Sequence, residues 1–178
     1  MVAFLISSCY SERFYEGDGN LKDSGFWVIM GDRYILSLKE VDLSKNGIYE
    51  FSLENLPPNY TFTVGLAFED SIETLRASQT KVRMELSRDG KDVISTKPMK
   101  LYDWTLSYSP GMGFNGVYAY QRGELSETAL DCARGTYFVP KHRAKYRLIL
   151  TVEPAAGDDI QYARLILSDA GRTSVDCA

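Results

Sequence analysis

Apolar and polar residues alternate along much of this chain with a period of two, the spacing of β-strands that bury one face. In the run Ile48–Leu53, the apolar residues Tyr49, Phe51 and Leu53 share one face, which predicts that this face points into a core. Tyr60–Phe68 continues the pattern, with apolar residues at every second position. Turn-forming residues separate the runs, so the chain is predicted to consist of short strands joined by turns.

Further short runs rich in β-branched and aromatic residues predict additional strands at 25–30, 34–38, 82–86, 93–96, 101–108, 117–121, 136–139, 146–152 and 161–167. An Asp-Gly pair at Asp89 lies between two of them and predicts a tight hairpin. Pro154 and a Gly-Asp-Asp cluster separate the last two, which we expect to pair with each other.

Helical signals are scarce. Ser71–Ser78 is expected to form a short helix capped by Asp70 or Ser71, and Ser126–Ala133 is a second candidate. About ten strands, interrupted at short intervals, predict an all-β fold: a two-sheet antiparallel sandwich, jelly-roll-like, with one or two short helices. An immunoglobulin-like strand order remains open. Residues 10–178 are expected to form a single domain, and residues 1–9 are either a lipoprotein signal remnant or a first strand.

Composition excludes several classes of function. The 178 residues contain 20 Lys and Arg against 24 Asp and Glu, a net charge of −4 without a basic block, so nucleic acid is not an expected partner. No apolar run approaches the length of a membrane-spanning helix. A single histidine beside 12 tyrosines suits strands and polar binding faces better than acid–base catalysis.

The three cysteines suggest a cellular location for the protein. The tetrapeptide that ends at Cys9, Ile-Ser-Ser-Cys, resembles the lipobox of bacterial lipoproteins, in which the cysteine receives lipid. No Lys or Arg precedes it and its apolar run is short, so a first β-strand is the alternative. If Cys9 carries lipid, Cys132 and Cys177 are left to form a disulfide in an oxidising compartment. The alternative is two free thiols in a cytosolic protein.

Two strand patterns extend this resemblance. Gly47-Ile-Tyr-Glu-Phe-Ser-Leu53 and Ala144-Lys-Tyr-Arg-Leu-Ile-Leu-Thr-Val152 are similar to strands of uncharacterised bacterial exported lipoproteins of β-sandwich type. The resemblance implies a β-sandwich in the periplasm or at the outer membrane, held at the membrane through lipid on Cys9. It implies no catalytic residues.

Candidate catalytic and metal-binding groups are few. His142 lies between two cations in a predicted loop, and no HxH, HExxH or CxxC spacing exists, so we predict no catalytic residue, no metal site and no cofactor. The acidic, glycine-rich run 16–20, with Asp23, has the composition of calcium loops but not their spacing. Asp158 and Asp159 are adjacent, and adjacent side chains of an extended chain point in opposite directions, which favours a loop role.

Aromatic residues crowd into one region and are the candidates for binding: Tyr102, Trp104, Tyr108, Phe114, Tyr118 and Tyr120. The period of two places Tyr102, Trp104 and Tyr108 on one face of a predicted strand. Exposed, such residues form a platform for a partner; buried, they form core.

These patterns favour a non-enzymatic, exported binding protein that acts on a protein or glycan partner of the cell envelope. A carbohydrate-binding module with exposed aromatic rings is the alternative, and burial of Trp27 and Trp104 would count against it.

Overall fold

The computed structural model describes residues 14–23, 34–58, 60–108, 116–121, 133 and 135–169. Within them, the chain forms thirteen β-strands, one α-helix and one 3-10 helix. The strands, most of them short, are β1 (Glu16–Gly17), β2 (Asn20–Asp23), β3 (Tyr34–Asp42), β4 (Gly47–Glu54), β5 (Phe62–Phe68), β6 (Lys81–Arg88), β7 (Lys91–Ser95), β8 (Met99–Lys100), β9 (Thr105–Tyr108), β10 (Val117–Tyr120), β11 (Tyr137–Phe138), β12 (Lys145–Glu153) and β13 (Tyr162–Asp169). The α-helix, α1, is Ile72–Ala77, and the 3-10 helix is Leu101–Asp103.

The strands form two antiparallel sheets that pack face to face. The front sheet has the order β1-β4-β12-β6-β7, with β8 also paired to β6. The back sheet has the order β2-β3-β13-β5-β10-β9, with β11 also paired to β5. The four central strands β3-β13-β5-β10 therefore lie opposite β4-β12-β6-β7, which is the strand order of a jelly roll. The predicted jelly-roll-like sandwich is confirmed.

The core lies between the sheets and follows the predicted alternation. Phe51 and Leu53 on β4 are buried, whereas Ile48 on the opposite face is 73% exposed. On β5, Phe62 and Leu66 are completely buried between the sheets, as predicted. Each aliphatic or aromatic side chain buried in this way contributes about 1.5–3 kcal/mol of hydrophobic stabilisation.

Local signals located the tightest turn and the helix correctly. The β6–β7 hairpin turns at Asp89 and Gly90, both with positive φ (51° and 78°), the conformation that a two-residue type I′ turn requires. Helix α1 begins at the N-cap Ser71, whose side chain accepts a hydrogen bond from the backbone N–H of Thr74 at 3.2 Å.

The predicted pairing of the last two long strands is wrong. β12 pairs with β4 and β6 in the front sheet, whereas β13 pairs with β3 and β5 in the back sheet. The connection between them, residues 154–161, is long enough to cross from one sheet to the other. For β12 and β13, adjacency along the chain therefore does not carry over to adjacency in a sheet.

The strand predicted at 101–108 is half as long as expected. Its first three residues form the 3-10 helix, and only Thr105–Tyr108 joins the back sheet as β9. The predicted strand at 25–30 lies outside the described residues, and so does the helix predicted at Ser126–Ala133 except for Ala133, which is not helical.

The outer faces of the two sheets differ. The front sheet carries exposed ion pairs there, such as Arg147 with Glu50. The outer face of the back sheet carries a second buried cluster of five side chains: Ile35, Ala67, Tyr118, Tyr120 and Ile166. The hydroxyl of Tyr118 donates hydrogen bonds to the carbonyls of Thr63 at 2.7 Å and Ile166 at 3.3 Å, which ties three neighbouring strands together.

Candidate functional site

A cleft opens at one end of the sandwich, where the β4–β5 and β11–β12 connections meet. It has a volume of about 380 Å³, and eight residues line it: Phe14, Glu54, Asn55, Leu56, Pro57, Pro58, His142 and Arg143. We call it the loop-end cleft. The backbone N–H of Asn55 donates to the carbonyl of Ala144 at 3.3 Å, so the two connections are fastened to each other at its base.

Backbone strain concentrates at the loop-end cleft. Only three non-glycine residues in the described part of the chain have positive φ, and two of them line the cleft: Asn55 (φ 59°) and Arg143 (φ 55°). The third, Asp89, belongs to the hairpin turn. Asparagine tolerates this left-handed conformation, but a long side chain such as arginine adopts it rarely. Residues held in such conformations cluster at functional sites, which makes the loop-end cleft the first candidate.

The turn at Arg143 shows why its conformation is strained. The N–H of Ala144 donates to the carbonyl of Lys141 at 3.3 Å, closing a four-residue β-turn with Arg143 at its third position. A positive φ at that position is typical of a type II turn, in which glycine is preferred. Arginine stands where glycine would fit better, so its side chain is present at the expense of local stability.

The strain at Arg143 predicts which of two variants is the more stable. Because glycine adopts positive φ without a steric penalty and alanine does not, we expect Arg143→Gly to be more stable than Arg143→Ala by about 1 kcal/mol. Chemical denaturation of both variants measures the difference. Equal stabilities would show that Arg143 is not strained.

The charges in the loop-end cleft are unbalanced. Its carboxylate, Glu54, is held by Lys145 at 3.0 Å. Among the described residues, neither the guanidinium of Arg143 nor the imidazole of His142 has an ion-pair or hydrogen-bond partner, and both residues are exposed. The cleft therefore presents an uncompensated guanidinium beside an imidazole.

The remaining walls are apolar. Leu56 and Pro57 are buried, Pro58 is partly buried, and Phe14 is 48% exposed. A half-exposed phenylalanine beside prolines provides a surface on which an apolar or aromatic group can pack. Apolar walls with a small number of polar groups are the usual composition of binding pockets.

The aromatic residues predicted as binding candidates do not lie on one surface. Trp104 is 4% exposed and packs in the core between the sheets. Tyr118 and Tyr120 are buried in the cluster on the outer face of the back sheet. Tyr102, on the 3-10 helix, is exposed with Lys100 over its ring, and Tyr108 is exposed at the end of β9. Phe114 lies outside the described residues, as does Trp27.

The cysteines also lie outside them. Nothing in the described structure bears on lipidation at Cys9 or on a disulfide between Cys132 and Cys177.

The acidic, glycine-rich run 16–20 is engaged within the fold. It crosses from β1 in the front sheet to β2 in the back sheet. The carboxylate of Asp18 accepts a hydrogen bond from the backbone N–H of Ser52 at 2.8 Å. Burial, together with the nearby charge of Asp18, raises the pKa of Tyr15. Among the described residues, no three His, Cys, Asp or Glu side chains are grouped to hold a metal ion.

Asp158 has a structural role. One of its carboxylate oxygens accepts hydrogen bonds from the hydroxyls of Ser78 (2.6 Å) and Thr80 (2.8 Å) and from the backbone N–H groups of Gln79 and Thr80 (both 3.0 Å). These bonds fasten the β12–β13 connection to the segment that follows α1. Burial raises the pKa of Asp158, but the bonds from Ser78 and Thr80 outweigh it and hold the pKa below its ordinary value.

The contacts of Asp158 predict a loss of stability. The substitution removes the acceptor and leaves several donors without a partner in a partly exposed site. We therefore expect Asp158→Ala to lower the free energy of unfolding by about 2 kcal/mol. The adjacent, exposed Asp159→Ala is the matched control and should change it by less than about 0.5 kcal/mol.

The effect should depend on pH. Because the folded-state pKa of Asp158 is lowered, its contribution is complete above the unfolded-state value of about 4 and is lost as the pH falls below it. Thermal unfolding of the protein and of Asp158→Ala at pH 7 and in acid should therefore show the difference between them shrinking in acid. A difference that is independent of pH would contradict this account.

A second cavity, of about 330 Å³, lies at the opposite end of the sandwich. Four carboxylates line it, those of Glu40, Glu69, Asp70 and Asp159, together with Arg164. It lacks the left-handed non-glycine residues that line the loop-end cleft, and its exposed aromatic side chain is Tyr162, which is 52% exposed.

Comparison with known proteins gives no match: no family model, no curated protein and no solved structure is significantly similar to this chain. No helix within the described ranges is long and apolar enough to cross a membrane.

Proposed function

We propose that this chain is a non-enzymatic binding domain of the bacterial cell envelope that engages a protein partner through the loop-end cleft. Lipid on Cys9 would tether the domain to the membrane, and a disulfide between Cys132 and Cys177 would fit the oxidising compartment outside the cytoplasm. The tether and the compartment rest on the lipobox-like sequence. The binding surface rests on the geometry of the cleft.

One observation carries the choice of surface: of the three left-handed non-glycine residues within the described ranges, two line the same cleft. An arginine in a left-handed conformation that glycine would adopt with less strain supports a role for its side chain. The exposed Phe14 beside the cleft provides the apolar contact that a protein partner needs.

The geometry favours a protein partner over a glycan. A sugar-binding platform needs exposed, coplanar aromatic rings, whereas Trp104, Tyr118 and Tyr120 are buried. Tyr102 and Tyr108 are exposed and remain candidates for additional contacts outside the cleft.

Site-specific photo-crosslinking tests the binding surface. A benzophenone amino acid is placed at Pro58, in the cleft, and in a matched variant at Ile48, which is exposed on the outer face of the front sheet. Irradiation of cells of the native host should give a discrete crosslinked species from position 58 only, and Arg143→Glu should abolish it. No crosslink from position 58, or equal crosslinks from both positions, would refute the proposal.

Intact mass of the protein purified from its native host tests the tether. A diacylglycerol-type adduct beginning at Cys9 would support the anchor, and a gain of two hydrogen masses on reduction would support the disulfide. An unmodified chain with the same mass before and after reduction would remove both.

A further inference from the structure

The polar groups of the loop-end cleft favour an anion. The guanidinium of Arg143 and the side-chain amide of Asn55 make no hydrogen bonds among the described residues, so both are available to a ligand. A guanidinium can pair with a carboxylate through two parallel hydrogen bonds, which is a strong and geometrically specific contact. Glu54 forms its ion pair with Lys145, at 3.0 Å, and not with Arg143.

The size of the cleft restricts which kinds of ligand can present that anion. Its volume of about 380 Å³ is near the lower limit for ligand pockets, so the cationic and apolar walls are parts of one small space. A ligand that satisfies both walls must carry its negative charge directly beside an apolar group. An aromatic residue at the end of a polypeptide meets this condition, because its carboxylate and its ring-bearing side chain are both attached to the same Cα atom.

Resting on the proposed binding role of the loop-end cleft, we infer that its occupant is the C-terminal residue of a partner polypeptide, an aromatic or large apolar residue with a free carboxylate. The carboxylate pairs with Arg143, and the side chain packs against Phe14, Pro57 and Pro58. Capture of a C-terminal carboxylate is an established mode of peptide recognition.

Three short peptides test the inference by ¹H–¹⁵N NMR titration of the full chain. The first, acetyl-Gly-Gly-Phe, has a free carboxylate; the second is the same peptide with a C-terminal amide; the third, acetyl-Phe-Gly-Gly, moves the ring away from the carboxylate. We expect shifts of the backbone amides at 54–56 and 141–144 with the first peptide, and affinities lower by about tenfold or more for the other two.

Two variants distinguish an effect of the charge of Arg143 on binding from an effect of a disturbed fold. Arg143→Gly removes the guanidinium and relaxes the turn, so it should keep the spectrum of a folded protein while binding the first peptide about tenfold or more weakly. Arg147→Ala, which removes an exposed arginine on the outer face of the front sheet, should bind normally.

The outcomes distinguish the inference from the proposed function. Equal binding of the acid and the amide, or shifts centred on residues away from the cleft, would overturn the inference. Crosslinking at Pro58 without binding of any peptide would also overturn it, while leaving the proposed binding surface intact. Failure of the crosslinking itself would instead count against the proposed function.

Discussion

Replacing Phe138 with alanine is expected to lower the free energy of unfolding by about 3 to 5 kcal/mol, the range for a large aromatic side chain removed from a core. Phe138 is completely buried, and its ring centroid lies 6.3 Å from that of Phe62 and 5.4 Å from that of Tyr146. Phe62 belongs to the back sheet and Tyr146 to the front sheet, so this one ring contacts both. Removing it leaves a cavity between the sheets.

Ile48→Ala is the matched control, because Ile48 also lies on a strand but is 73% exposed. Its replacement should change the stability by less than about 0.5 kcal/mol. Urea denaturation of both variants measures the difference through the transition midpoints. A loss of less than about 2 kcal/mol for Phe138→Ala would mean that the core collapses around the missing ring or that the ring is less buried in solution.

Gly65→Ala is the second large loss that we expect, about 3 kcal/mol, at the upper end of the usual range for overpacking. A Cβ atom at Gly65 would lie 2.5 Å from the carbonyl oxygen of Ala119 and 2.5 Å from the ring of Tyr118. The first is backbone of the neighbouring strand β10, and the second is a buried ring fixed by hydrogen bonds to Thr63 and Ile166. Neither can move away without disturbing the back sheet.

Ala67 provides the control for this position. It lies two residues further along β5 on the same outer face, where a Cβ atom is already accommodated. Ala67→Gly should lose only about 1 kcal/mol, the usual penalty of a glycine within a strand or helix. Thermal unfolding of the two variants compares them directly. If Gly65→Ala were no less stable than Ala67→Gly, the close approach of Tyr118 to β5 would be disproved.

The outer face of the back sheet explains why β5 departs from simple alternation. All seven residues of β5 are buried, including those of the outer face. A strand buried on both sides needs small residues where a neighbouring ring crosses it, and Gly65 and Ala67 meet that need beside Tyr118. The sequence shows these residues, but only the pairing of β5 with β10 gives the reason for them.

Local sequence patterns reveal part of the candidate site and give no indication of the rest. In the sequence, His142 and Arg143 are typical of an ordinary solvated loop, since His142 lies between two cations. Their place in a cleft depends on Asn55, which is 87 or 88 positions away and is joined to their loop by a hydrogen bond to Ala144. The signal available in the sequence was Asn55, directly before Leu-Pro-Pro, because asparagine tolerates positive φ in turns.

The sequence by itself determined the β-sandwich, the short helix at Ile72–Ala77 and the hairpin at Asp89, because alternation, capping and turn chemistry act between residues close along the chain. Only the tertiary structure decided that β12 and β13 enter different sheets and that Trp104 is buried. It alone joined Asn55 and Arg143 in one cleft. Those outcomes depend on pairings between distant segments, in which many registers satisfy the same local pattern and packing of the whole core selects one of them.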